Sequence, residues 1–206
     1  MINIFSRNIF TRYIAPLAFT LALAGCASTG VSNNYYLLNS SQSADQQQQS
    51  SIDNSKQLLV EPVVLADFLN QKFLVMQKGN QLYVSETHQW AQPLAGSITQ
   101  AIAEELHADL SDWRVSKSRL NPAERSAYSL LVAIDQFHPN DESLVSLKGS
   151  FQIRNGKELV LEDHFFISEA LKQDGFSQSV SQLSDLLSQL AKKISTQLGA
   201  IEALSF

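Results

Sequence analysis

A single cysteine among 206 residues leaves no partner for an internal disulfide and excludes a zinc site built on several thiolates. Basic excess is lacking too: 15 Lys and Arg stand against 20 Asp and Glu, a net charge of -5. The first 25 residues hold Arg7 and Arg12 and no acid, so the rest balances 13 basic against 20 acidic residues, a net of -7. That argues against a nucleic-acid binder, which needs a basic face to release phosphate counterions. It also gives no polybasic attraction to anionic lipid. There is no phosphate loop, no dinucleotide fingerprint and no His-Glu-x-x-His motif. The four histidines, His88, His107, His138 and His164, never stand four residues apart, and His107 reads as a surface residue beside helix acids. Gly96-Ser97 and Gly149-Ser150 lack the flanking glycines of a nucleophile elbow. Neither a catalytic residue nor a metal ligand is expected.

The longest apolar run lies near the start and is too short to span a bilayer. It covers residues 13–24, about a dozen positions against the roughly 20 that a spanning helix needs. Arg7 and Arg12 precede it, and small residues end it, as in a secretory signal. Those residues read Leu23-Ala24-Gly25-Cys26 and match the lipobox of bacterial lipoprotein signals. Leu23, Ala24 and Gly25 are expected to fill the signal-peptidase groove. The Cys26 thiol is expected to accept diacylglycerol, with an N-acyl chain added after cleavage; no other cofactor is implied. One acyl chain anchors only marginally, whereas two or three hold a protein in its membrane. Ala27, not aspartate, follows Cys26. By resemblance to enterobacterial sorting rules this favours the periplasmic face of the outer membrane.

Residues 1–25 therefore read as signal peptide, 26–56 as lipidated cysteine and tether, and 57–206 as a periplasmic domain. The tether is small and polar, with four consecutive glutamines, and cannot bury enough apolar surface to offset chain entropy. Tyr35-Tyr36-Leu37-Leu38 interrupts it and reads as a short strand belonging to the body.

The body opens on an apolar strand at 57–65, with Pro62 marking an edge, a bulge or an end. Residues 73–77 and 82–86 flank Gly79-Asn80, a hairpin pattern. Trp90-Ala91-Gln92-Pro93-Leu94 leads into a helix whose apolar stripe is Ile98, Ile102, Leu106 and Leu110. Gln100, Glu104, Glu105 and Asp109 are expected on its solvent side. A short strand at 113–117 and a central apolar strand at 127–137 follow. Val145, Leu147, Phe151 and Ile153 alternate with polar residues, so one sheet face is buried and the other wet. Asn155-Gly156 is expected to form a type I′ turn into a strand at 157–168. A last helix at 177–203 carries Val180, Leu183, Leu187, Leu190, Ile194, Leu198 and Ile201. The pattern predicts one α+β domain, a largely antiparallel sheet with two amphipathic helices on one face. Trp90, Pro93 and Trp113 are candidate partner-binding residues, because large aromatics concentrate binding energy at interfaces. Burial as core anchors is the alternative for both tryptophans.

The order of these blocks resembles a known family. A lipobox, Tyr35-Tyr36-Leu37-Leu38, Val60-Glu61-Pro62-Val63-Val64-Leu65, the Gly-Asn hairpin, Trp90-Ala91-Gln92-Pro93-Leu94 and Ile102-Ala103-Glu104-Glu105-Leu106 are similar to those of the paraquat-inducible protein C family. These are auxiliary lipoproteins of ABC-type transport systems. Ala66 and Gln92 depart from that pattern, where proline and glutamate are usual. The resemblance implies a non-catalytic docking subunit of a trans-envelope phospholipid transport system that maintains membrane integrity. It further implies an inner-membrane-anchored MCE-domain protein as partner and a homo-oligomeric ring around the conduit. An envelope assembly lipoprotein serving another outer-membrane machine is the alternative.

Overall fold

The structure, a computed structural model, describes residues 32–38, 56–117 and 128–203. The signal peptide, the lipobox and Cys26 lie outside the described residues. The folded body begins at Asn33.

The tyrosine pair does form a strand, β1 (Asn34–Tyr36). The apolar run after the tether breaks at Pro62 into β2 (Lys56–Val60) and β3 (Val64–Leu65). A 3-10 turn at Asp67–Leu69 leads to the hairpin β4 (Phe73–Lys78) and β5 (Gln81–Trp90), and then to helix α1 (Leu94–Asp109). Next come β6 (Trp113–Ser116), β7 (Tyr128–Pro139), β8 (Leu144–Asn155), β9 (Glu158–Ala170) and helix α2 (Phe176–Ala203).

The strands make two sheets, not the single one expected. One has the order β1-β5-β4; the other runs β6-β2-β7-β8-β9, with β3 also on β7. The three long pairings, β4/β5, β7/β8 and β8/β9, are antiparallel. Parallel pairs arise where a helix or a long segment separates the partners in sequence, as in β1/β5, β2/β6, β2/β7 and β3/β7. Pro62 explains the split of β2 from β3. Val60 pairs with Leu130 and Val64 with Ala133, so four steps on one strand oppose three on the other. The proline fills a bulge where no backbone donor is needed.

A second bulge sets the register of β7. Ile134 pairs with Gly149 but Gln136 pairs with Lys148, which leaves exposed Asp135 unpaired. The extra residue inverts the alternation, so Leu130, Val132, Ile134 and then Phe137 all reach the core. On β8 the expected alternation holds: Val145, Leu147, Phe151 and Ile153 are buried, and Lys148 is exposed. The two helices touch each other, α1 also meets β2 and β6, and α2 meets β7, β8 and β9. Helices in mutual contact cannot lie on opposite faces of one sheet, so both cover the same face. The α2 stripe is buried from Val180 to Leu198, joined by Leu186 and Ala191.

Two local expectations change. The β8–β9 loop is Gly156-Lys157, since Asn155 still pairs with Glu158. Only Gly156 has positive φ, at 59°, so the turn is of type II′ with glycine first, not type I′. Gly79-Asn80 repeats this arrangement, with Gly79 at φ 54°. Glu105 is buried, not solvent-facing, and accepts a hydrogen bond from Ser188 Oγ of α2 at 3.0 Å. Ser195 Oγ of α2 likewise donates to Asp109 at 3.1 Å. Part of the acidic helix edge is therefore a helix–helix seam.

Candidate partner-docking site

Three blocks far apart in sequence meet at the start of α1. Trp90 ends β5, where its backbone N–H donates to the Lys72 carbonyl at 2.7 Å. The next N–H, of Ala91, donates to the Tyr36 carbonyl at 2.8 Å and ties the corner to β1. Ala91, Gln92 and Pro93 are exposed, and Leu94 returns to the core as the first residue of α1. Pro93 takes the N-cap position with φ -54°, and its carbonyl accepts from the Ser97 N–H at 3.2 Å. Its rigid φ suits a chain that turns from strand to helix. Thr99, one turn further on, accepts from the Val63 N–H at 3.0 Å and thus holds the Pro62 bulge against α1.

This corner borders a shallow groove of about 380 Å³, walled by Asn70, Gln71 and Lys72 on one side and Trp90, Gln92 and Pro93 on the other. Its walls carry amide and ammonium groups around an indole edge, a surface that can take part in docking but holds no acid–base pair. The void beneath Trp90, against Leu74, Phe137 and Leu183, measures about 10 Å³. That admits one water at most and no acyl chain.

The candidate residues do not gather at one place. Trp90 is 8% exposed, and its ring lies 6.3 Å from that of Phe137. Trp113 is 4% exposed, on β6, edge-on to Tyr128 at 5.2 Å with the Lys56 ammonium 5.7 Å from its ring. Both indoles are packing anchors, and at this corner the exposed residues are Ala91, Gln92 and Pro93. An indole followed by a small residue and a helix start pointed to this corner, but periodicity does not distinguish an anchor from a contact.

His88 is the residue that sequence reasoning passed over. Its Nδ1 lies 2.7 Å from the Tyr36 hydroxyl, and its ring stacks on Phe176 at 4.1 Å. It thereby links β1, β5 and the start of α2, which sequence spacing does not reveal. His138 is buried beside Phe68, and its Nδ1–H donates to the Pro139 carbonyl at 3.1 Å. Burial pushes its pKa below the usual 6.5, against the opposing pull of that carbonyl. Among the described residues no three His, Cys, Asp or Glu side chains group as metal ligands. Among the same residues no helix is long and apolar enough to cross a membrane.

The family model described as "ABC-type transport auxiliary lipoprotein component" matches residues 36–195. No curated protein matches the chain. Among solved structures, one of an uncharacterized protein superposes with a TM-score of 0.70 at 21% identity, covering 81% of this chain and 99% of its own. A Xanthomonas campestris protein of the family designated DUF330 gives 0.59 at 15% identity, covering 71% of this chain and 89% of its own. At these identities the two structures establish a shared fold.

Proposed function

Because the chain belongs to the family of ABC-type transport auxiliary lipoprotein components, we propose that it is the docking subunit of a trans-envelope lipid transport system. On this reading Cys26 carries the acyl chains and the body stands on the periplasmic face of the outer membrane. An inner-membrane-anchored protein with MCE domains docks on the exposed corner at Gln92 and Pro93. The subunit performs no chemistry of its own; it holds the end of a phospholipid conduit at the membrane that the conduit serves.

The observation that carries this reading is the extent of the family match, which starts in β1 and ends in α2. It takes in β2 to β9 and the corner at the start of α1, not one shared motif. An anchor signal and an exposed corner at the start of α1 both fit a docking role.

The test is recovery of partners with the tagged full-length lipoprotein from gently solubilised membranes, identified by mass spectrometry. An MCE-domain protein should be recovered. A Gln92→Lys, Pro93→Asp double variant should lower that recovery about tenfold, a binding loss of about 1.4 kcal/mol, without changing thermal stability. Recovery of a different envelope machine with no MCE protein would transfer the subunit to an assembly role.

A further inference from the structure

The β4–β5 hairpin ends in an apolar arm that the body does not cover. Leu82, Tyr83 and Val84 are 43%, 46% and 46% exposed. They are consecutive on one strand, so their side chains alternate between the two faces, and both faces are open. Further back on the same hairpin Leu74, Val75 and Trp90 are buried, so exposure grows toward the tip. Large apolar side chains exposed on both faces of one arm mark a contact site.

The direction of β1 says what the contact is. β1 runs parallel to β5, with Asn34 opposite His88 and Tyr36 opposite Trp90. Followed back toward the N-terminus, β1 therefore heads toward the hairpin tip at Gly79-Asn80. Cys26 lies eight residues before Asn34, so it stays within about 28 Å of it at roughly 3.5 Å per residue. From His88 to Gln81 the arm extends about 23 Å in the same direction. With acyl chains on Cys26, the bilayer surface would lie within reach of the arm.

The geometry points to the outer part of this arm, Leu82, Tyr83 and Val84 just behind the Gly79-Asn80 turn, resting in the headgroup region of the membrane that holds the anchor. The inference rests on Cys26 being lipidated. The depth is limited by the backbone. β1 pairs with β5 only from His88 onward, so the outer edge of β5 nearer the tip pairs with no described strand. Unpaired backbone groups are not tolerated in hydrocarbon but are satisfied among headgroups and water. Tyrosine is enriched at that level, and Lys78 beside the tip can extend its ammonium toward phosphate while its stem stays apolar. The Asp141 N–H donates to the Gln77 carbonyl at 3.0 Å, which brings the acidic turn of Asp141 and Glu142 alongside. The contact is thus apolar and suited to zwitterionic lipid, not driven by charge.

One cysteine in the chain makes the test direct. Tyr83→Cys and, as a second site, Leu82→Cys are introduced into the full-length lipoprotein and labelled with an environment-sensitive thiol fluorophore. The proteins are reconstituted in phosphatidylethanolamine–phosphatidylcholine vesicles carrying nitroxide lipids; Glu104→Cys on exposed α1 serves as reference. Expected are a blue-shifted emission at both arm sites and at least twofold stronger quenching there by headgroup-proximal nitroxide than at the reference. Quenching should be weaker from nitroxide at the acyl terminus and unchanged at high salt. Arm labels quenched by lipid no more than the reference would overturn the proposal. Shielding from aqueous iodide without lipid quenching would do so as well, and would assign the arm to a protein partner. Labelling of the parent protein at Cys26 would show a free thiol, overturning the anchor reading itself and the membrane contact with it.

Discussion

Gly149 is the glycine that the fold cannot replace. It sits in the middle of β8, where a Cβ would fall 2.0 Å from the Ala133 carbonyl oxygen and 2.8 Å from the Phe165 ring. Neither backbone nor packed ring can retreat without moving β7 or β9. Gly149→Ala should cost about 1–3 kcal/mol or more, read as a lowered urea midpoint with unchanged slope. In the sequence this glycine merely interrupts an alternating strand; the close approach that requires it comes from the bulge at Asp135 on the neighbouring strand. Asp163 on β9 is a second such residue. It accepts hydrogen bonds from Gln197 Nε2 at 2.7 Å and Lys193 Nζ at 2.9 Å, both on α2. Those two bonds, led by that of Gln197, lower its pKa from 3.8 to about 2. The unfolded chain binds this proton first, so the contribution is complete above pH 4 and is lost as pH falls toward 2. Asp163→Asn should be less stable than the parent at neutral pH, and the gap should close between pH 4 and 2 in thermal melts.

At the level of elements, periodicity located both helices and most strands. α2 follows its apolar stripe to within one residue of the expected start, because heptad-like spacing over 28 residues leaves little choice of face. What periodicity missed are the polar groups that orient the helix. Gln182 is wholly buried on the same helix as the leucines, yet no apolar pattern includes it. Its Oε1 accepts from the Lys172 N–H at 2.8 Å and its Nε2 donates to the Ala170 carbonyl at 2.9 Å, clamping α2 to the end of β9. Gln182→Leu keeps the volume but strands both backbone groups, and should cost about 1–3 kcal/mol in equilibrium unfolding. Substituting half-buried Gln178, which donates to Gln182 Oε1 at 3.3 Å and holds no backbone group, should cost less. The turn at Gly156 teaches the same distinction. The Asn-Gly pair announced a hairpin, but the cross-strand pairs of β8 and β9 chose which two residues form the loop.

For the whole molecule, the anchor signal is read from sequence alone, whereas the body is read from sequence and structure together. Leu23-Ala24-Gly25-Cys26 reads as a lipobox without any structure, and on the proposed reading Cys26→Ser should leave unprocessed precursor on an immunoblot. Normal processing and membrane retention of that variant would remove the basis for an anchor there. The α+β class and the two helices on one face were likewise legible, since hydrophobic period depends on local geometry alone. The sequence by itself also determined the order of blocks that marks the family. Only the tertiary structure decided that the strands divide into two sheets, that β1 joins β5 in parallel, and that the Tyr36, Val63 and Trp90 blocks converge beside α1. It also decided that both tryptophans are anchors and that Leu82, Tyr83 and Val84 stand exposed on the β4–β5 arm. The reason is that residue identity states how much surface a side chain would bury, whereas pairing across 50 or more residues states against what, and no local period carries that information.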